Sequence, residues 1–123
     1  METNEITGQI LNAAYRVHTV LGPGLLESAY QGCLVHELRK AGLFVEVEKP
    51  CPLIYDDFKL ECGYRIDILV ENEIIVELKA VDAFRDVHLA QVLTYLRLSG
   101  KHVGLLLNFN VKSLKEGIKR VSL

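Results

Sequence analysis

Apolar residues recur at steps of three and four from Ile6 through Ile10, Ala13, Val17 and Leu21, a spacing that gathers them on one face of a helix. The pattern predicts an amphipathic helix over about residues 4–21, ended by Gly22-Pro23-Gly24, because proline cannot extend a helix and glycine admits the turn that follows. A second helix is predicted over about 25–40, with Leu26, Ala29/Tyr30, Cys33/Leu34 and Leu38 inward and Gly42 as its stop. From Phe44 the period changes to two. Turn residues at Asp56-Asp57 and Glu71-Asn72-Glu73 divide that stretch into three strands, about 44–55, 58–70 and 74–80, expected to pair antiparallel. Gly63 interrupts the middle strand and suggests a bulge. After Asp82 a third helix is predicted to run to Ser99, with Val87, Ala90/Gln91, Thr94/Tyr95 and Leu98 facing inward and Gly100 closing it. The nearly unbroken apolar run from His102 to Phe109 suits a central strand buried on both faces. A turn over 113–117 and a last strand over about 118–123 complete the order α-α-β-β-β-α-β with an edge strand.

Composition narrows the class. A chain of 123 residues, 50% hydrophobic and 24% charged, fits one globular domain over 1–123 and excludes disordered, collagen-like and coiled-coil compositions. No apolar stretch approaches the roughly 20 residues of a membrane-spanning helix. The acidic start, Met-Glu-Thr-Asn-Glu, lacks the basic and apolar regions of a secretory signal, so a cytoplasmic address is expected. Cys33, Cys51 and Cys62 are too few and too scattered for a zinc ribbon, and their odd number argues against a disulfide framework; buried thiols are expected. Net charge is only -2, yet the cations are uneven: Lys101, Lys112, Lys115, Lys119 and Arg120 face the single Glu116 after Gly100. They form either a basic patch for phosphates or a solvated tail. No Gly-rich phosphate loop, Gly-x-Ser-x-Gly elbow or His-Glu-x-x-His helix is present, which counts against nucleotide hydrolases, serine hydrolases and zinc proteases.

The chemistry concentrates in the hairpin from Tyr64 to Lys79. If 71–73 form a three-residue loop, Val70 faces Ile74 and Asp67 falls opposite Glu77. Alternation then puts Lys79 on the face of Glu77 and Arg65 on that of Asp67, with Ile66, Ile68, Val76 and Leu78 on the other side. Opposed carboxylates repel. Either a hard divalent cation with oxygen ligands offsets the repulsion, or Arg65, Asp67, Glu77 and Lys79 form cross-strand ion pairs on a solvated face, each worth little. Glu27 lies on the inward side of the second helix, where an unpaired charge is costly. Helix capping or an ion pair is the ordinary explanation for it.

Asp67 followed ten positions later by Glu77-Leu78-Lys79 resembles the core motif of the PD-(D/E)XK nuclease superfamily, whose elements follow the same order. Gly24-Leu-Leu-Glu27-Ser-Ala-Tyr30 is similar to the signature of a bacterial and archaeal subgroup, the GxxExxY proteins. His88-Leu-Ala-Gln91-Val-Leu-Thr-Tyr95, Gly104-Leu-Leu-Leu-Asn108-Phe109 and Gly117-Ile-Lys-Arg120 resemble its later segments. The resemblance implies an α/β (α+β) restriction-endonuclease-like core, a mixed central sheet flanked by helices. It makes Asp67, Glu77 and Glu27 ligands of Mg²⁺ or Mn²⁺, Lys79 the catalytic lysine and Gln91 a polar residue beside the site. The implied activity is metal-dependent hydrolysis of phosphodiester bonds in DNA, or in RNA. The alternative is a nuclease-fold protein that binds nucleic acid or a partner protein without cutting. His88 is a phosphate or supporting contact on this reading, and Lys112, Lys115, Lys119 and Arg120 are weaker nucleic-acid contacts. His18, His36 and His102 read as surface or packing histidines, and Tyr30 and Tyr95 as core. A homodimer would double the cations and offer two sites to two strands.

Overall fold

Helix α1, Thr3–Leu21, buries Ile6, Ile10, Ala13, Ala14 and Val17, the stripe its spacing dictates. The computed structural model describes every residue from 1 to 123. Helix α2, Glu27–Lys40, buries Tyr30, Leu34, Val35 and Leu38. Five strands then follow: β1 (Val45–Pro50), β2 (Leu53–Tyr55), β3 (Phe58–Leu60), β4 (Arg65–Val70) and β5 (Ile74–Lys79). Helix α3 (Asp86–Ser99) leads to β6 (Val103–Asn108), and a short 3-10 turn, Leu114–Gly117, precedes β7 (Ile118–Ser122). No helix is long and apolar enough to cross a membrane.

The main sheet runs β1-β4-β5-β6-β7. Its β1–β4, β4–β5 and β6–β7 pairs are antiparallel, while β5 and β6 are parallel because α3 carries the chain back across the sheet. The result is a mixed α/β architecture, a five-stranded sheet flanked by helices, as the resemblance implies. Side chains alternate between two cores. Ile68, Val70, Ile74, Val76, Leu78, Leu105 and Leu107 pack under α1 and α2. Leu69, Ile75 and Leu106 pack under Val92, Tyr95 and Leu96 of α3. A Cβ at Gly104 would come within 2.7 Å of Val92 Cγ1, so glycine lets α3 lie close on β6.

Several expectations need correction. The first two long strands are each broken, leaving β2 and β3 as a separate two-stranded ribbon. Pro50 and Pro52 cannot donate to a ladder, and Gly63 adopts φ +81°. Ile66 packs with the α3-side core rather than with Ile68, since β4–β5 pairing runs only from Val70 to Ile68. In α2, Leu26, Ala29 and Cys33 are exposed; the helix turns its Leu34–Leu38 side into the angle between α1 and strands β1 and β5. In α3, Val87 is 63% exposed and Ala90 is also exposed, because Val92, Tyr95 and Leu96 are the residues that reach the sheet. Only Cys51 of the three free cysteines is buried.

Candidate active site

The β4–β5 loop is built from Glu71 and Asn72, both with positive φ, and Glu71 accepts the Phe44 N–H at 2.6 Å. The resulting register pairs Val70 with Ile74, Leu69 with Ile75 and Ile68 with Val76. Continued one step, it sets Asp67 against Glu77, as the sequence predicts. There the backbone ladder gives way to the carboxylates: the Asp67 N–H donates to Glu77 Oε1 at 3.0 Å, and the Leu78 N–H donates to Asp67 Oδ2 at 3.0 Å. Each acid thus fixes the other's strand. Glu77 is only 2% exposed, so the solvated ion-pair face is excluded. The four ion pairs of the chain join Arg16 and Lys40 to Glu37, Lys49 to Glu46 and Lys59 to Glu61, leaving Arg65 and Lys79 unpaired.

Burial, then the charge of Asp67, pushes the Glu77 carboxyl up to about 9. Asp67 is also raised, by burial first, against the opposing effect of the Leu78 N–H. In the bare chain one of the pair holds a proton.

Glu27 arrives from the helical layer through the turn that precedes α2. Gly24 adopts φ +101°, and its N–H donates to Asn110 Oδ1 at 3.2 Å. The Tyr30 hydroxyl donates to the Gly22 carbonyl at 2.6 Å and accepts the Leu25 N–H at 3.1 Å. Its ring stacks on Phe109 at 4.7 Å. Gly24 and Tyr30 therefore anchor the first turn of α2 at the end of β6, beside Asn108, whose amide clamps both backbone groups of Val81 just beyond β5. Glu27 stands in the common field of Lys79 and Asp67, and burial raises its carboxyl.

Three further groups, none of them read from the sequence as a site residue, act on or respond to the acids. Glu48 on β1, with φ +50°, accepts Gln31 Nε2 at 2.9 Å, and its charge acts on both Asp67 and Glu27. Its only sequence signal is the polar alternation of Val45 to Glu48, which by itself describes a solvated strand face. From the α3 side, the Tyr95 hydroxyl and the buried Cys51 thiol are both raised by burial and then by Glu77. Gln91 donates to the Tyr95 hydroxyl at 3.3 Å.

Asp67 and Glu77 are thus joined through hydrogen bonds, with Lys79 and Glu27 within their electrostatic reach, while Gln91 bonds Tyr95. No three acidic, histidine or cysteine side chains form a preset cation cage. The donor set is nonetheless all carboxylate oxygen, and a buried acid pair without a neutralising ion pair suits a hard cation. His88 caps α3, its Nδ1 accepting the Arg85 N–H at 3.0 Å. The basic residues do not form one patch. Lys101 precedes β6 and Lys112 and Lys115 follow it, while Lys119 and Arg120 are neighbours on β7 and face opposite sides, Arg120 donating to Asn4 Oδ1 at 3.1 Å. His18 and His102 bond backbone carbonyls, as packing histidines do.

In comparison with known proteins, the family model of the PD-(D/E)XK nuclease superfamily matches residues 4–121. No curated protein and no solved structure gives a match.

Proposed function

The chain belongs to the PD-(D/E)XK nuclease superfamily, and from that premise we propose that residues 1–123 are a single cytoplasmic nuclease domain of the GxxExxY subgroup, hydrolysing phosphodiester bonds in DNA and, as the second substrate to test, RNA. The observation that carries this reading is Glu77: a carboxylate 2% exposed, tied to Asp67 across the hairpin and in no ion pair. A structural role alone gives no reason to bury it there, since an apolar residue would stabilise the sheet better.

Mg²⁺ or Mn²⁺ would be held by Asp67 and Glu77 with Glu27 as the outer carboxylate; an ion bound there lowers the pKa of a coordinated water and offsets charge on a phosphodiester oxygen. The Lys79 ammonium has three donors and no lone pair. Its work is therefore to orient the attacking water or to steady negative charge on the phosphate as the ester bond breaks. Gln91 donates to the Tyr95 hydroxyl, on which the charge of Glu77 acts, and so braces the α3 side of the site.

Plasmid, linear and single-stranded DNA and RNA, incubated with Mg²⁺ or Mn²⁺, should be cut by the wild type and not by Asp67→Asn or Glu77→Gln. Lys79→Ala should still bind metal and nucleic acid while cutting falls by about two to three orders of magnitude. Binding without any cutting by the wild type would leave the second reading, a nuclease-fold protein that binds nucleic acid or a partner protein. The net charge of -2 favours the partner-protein form of that reading, since tight duplex binding rests on many cationic phosphate contacts. A homodimer, measurable by sedimentation, would bring two sites to two strands.

A further inference from the structure

A slot of about 390 Å³ opens between α3 and the strands' outer end, lined by Leu53, Tyr64, His88, Gln91, Thr94 and Tyr95. Its size lies within the range of about 300–1,000 Å³ typical of small-ligand pockets. Val87 and Ala90 of α3 form part of its wall, which explains why two apolar residues of that helix turn away from the core. The slot adjoins the strands that carry the acids: Tyr95, which lines it, shares a core with Ile66 and Ile75, on the same strands as Asp67 and Glu77.

Resting on the nuclease reading, we propose that this slot receives one unpaired nucleobase of the strand whose backbone lies at Asp67, Glu77 and Lys79. The lining fits such a ligand in three ways. Tyr64, 49% exposed, and the apolar wall of α3 offer a surface for stacking, which accepts any base because every base has a π-face. Polar atoms stand among them: Gln91 uses its amide N–H on Tyr95 and keeps its carbonyl as an acceptor. His88 takes the Arg85 N–H on Nδ1, so its neutral ring carries the proton on Nε2 as a donor. Finally, the chain's 14 Lys and Arg are outnumbered by 16 Asp and Glu, so phosphate contacts alone supply little grip, and base stacking provides affinity that does not depend on charge. A base within a duplex is stacked and paired and does not reach the slot without extrusion. The preferred substrate is therefore single-stranded, or a duplex with an unpaired base beside the cleaved bond.

The test uses the full chain with Ca²⁺, which takes the same oxygen ligands as Mg²⁺. Fluorescence anisotropy would compare a labelled 20-nucleotide single strand with its flush duplex, and 2-aminopurine within the strand would report stacking. The wild type should bind the single strand at least about tenfold tighter and quench 2-aminopurine. Ala90→Met, which fills the slot from an exposed helix position, and Tyr64→Ala, which removes the aromatic ring, should each reduce the ratio of single-strand to duplex affinity about tenfold. Circular dichroism would verify that both variants are folded. Equal wild-type affinity for the two substrates, or an unchanged ratio in both variants, would overturn the base slot while leaving the nuclease reading standing. Failure of the wild type to bind any nucleic acid would overturn both.

Discussion

Glu77 shows how a single side chain can be held where folding alone would not put it. Its pKa is raised from the ordinary 4.5 to about 9, by burial and then by Asp67, so across that interval the folded chain holds a proton that the unfolded chain has released. That contribution to stability is complete below about pH 4.5 and is lost as pH rises to about 9. In EDTA, urea unfolding followed across this range should show stability falling steadily with pH, and Glu77→Gln should flatten the fall. A persisting full slope in the variant would place its origin elsewhere. Divalent cations act on the same pair in the opposite sense. Mg²⁺ or Mn²⁺ should raise Tm at neutral pH, because a cation that binds the folded state stabilises it, and Asp67→Asn should abolish the rise. Calorimetry showing no heat of binding at millimolar metal would count against the carboxylates as ligands.

At the scale of elements, the site depends on how α2 and β6 are tied together. Tyr30 is fully buried on Phe109, yet its hydroxyl closes the turn that brings Glu27 to the sheet. Tyr30→Phe keeps the stacking and removes both hydrogen bonds. It should lower stability by about 1–3 kcal/mol in urea titration and reduce cutting further by loosening Glu27; unchanged stability would show that the turn holds without the hydroxyl. The return from β6 to β7 imposes a stricter constraint. A Cβ at Gly117 would run into the carbonyl oxygen of Asn108, part of the backbone and unable to swing aside. Gly117→Ala should therefore lower Tm more than Tyr30→Phe does.

For the molecule as a whole, electrostatics decide which surface meets a polyanion. Lys112 and Lys115 lie on the connection that leaves β6 at the end where Lys79 pairs with Asn108. Arg120 is engaged with Asn4 on the α1 side. Neutralising Lys112 and Lys115 together should flatten the plot of log binding constant against log salt by about 1–2, whereas Arg120→Gln should leave the slope unaltered. An identical slope in the double variant would assign these lysines to solubility.

Much of this was legible in the sequence, because period and spacing are local properties. The helical stripe of α1, the three-residue loop and hence the facing of Asp67 and Glu77, the buried β6 run and the break before α2 follow from steric preferences acting over a few residues. The spacing of Gly24, Glu27 and Tyr30 also stood in the sequence, but not its cause, since Gly24 and Tyr30 act through Asn110 and Phe109, more than seventy residues away. What only the tertiary structure decided lies between elements. The rotation of α3 that exposes Val87 and opens the slot is set by the fit of Val92 against Gly104. Glu48 joins the acids only once β1 pairs with β4 across the intervening ribbon. The burial that lifts Glu77 requires sheet and helix together. A chain's sequence fixes which residues share a strand or a helix face, but which faces meet depends on packing distant segments to a common density, and that is settled only when the whole chain is folded.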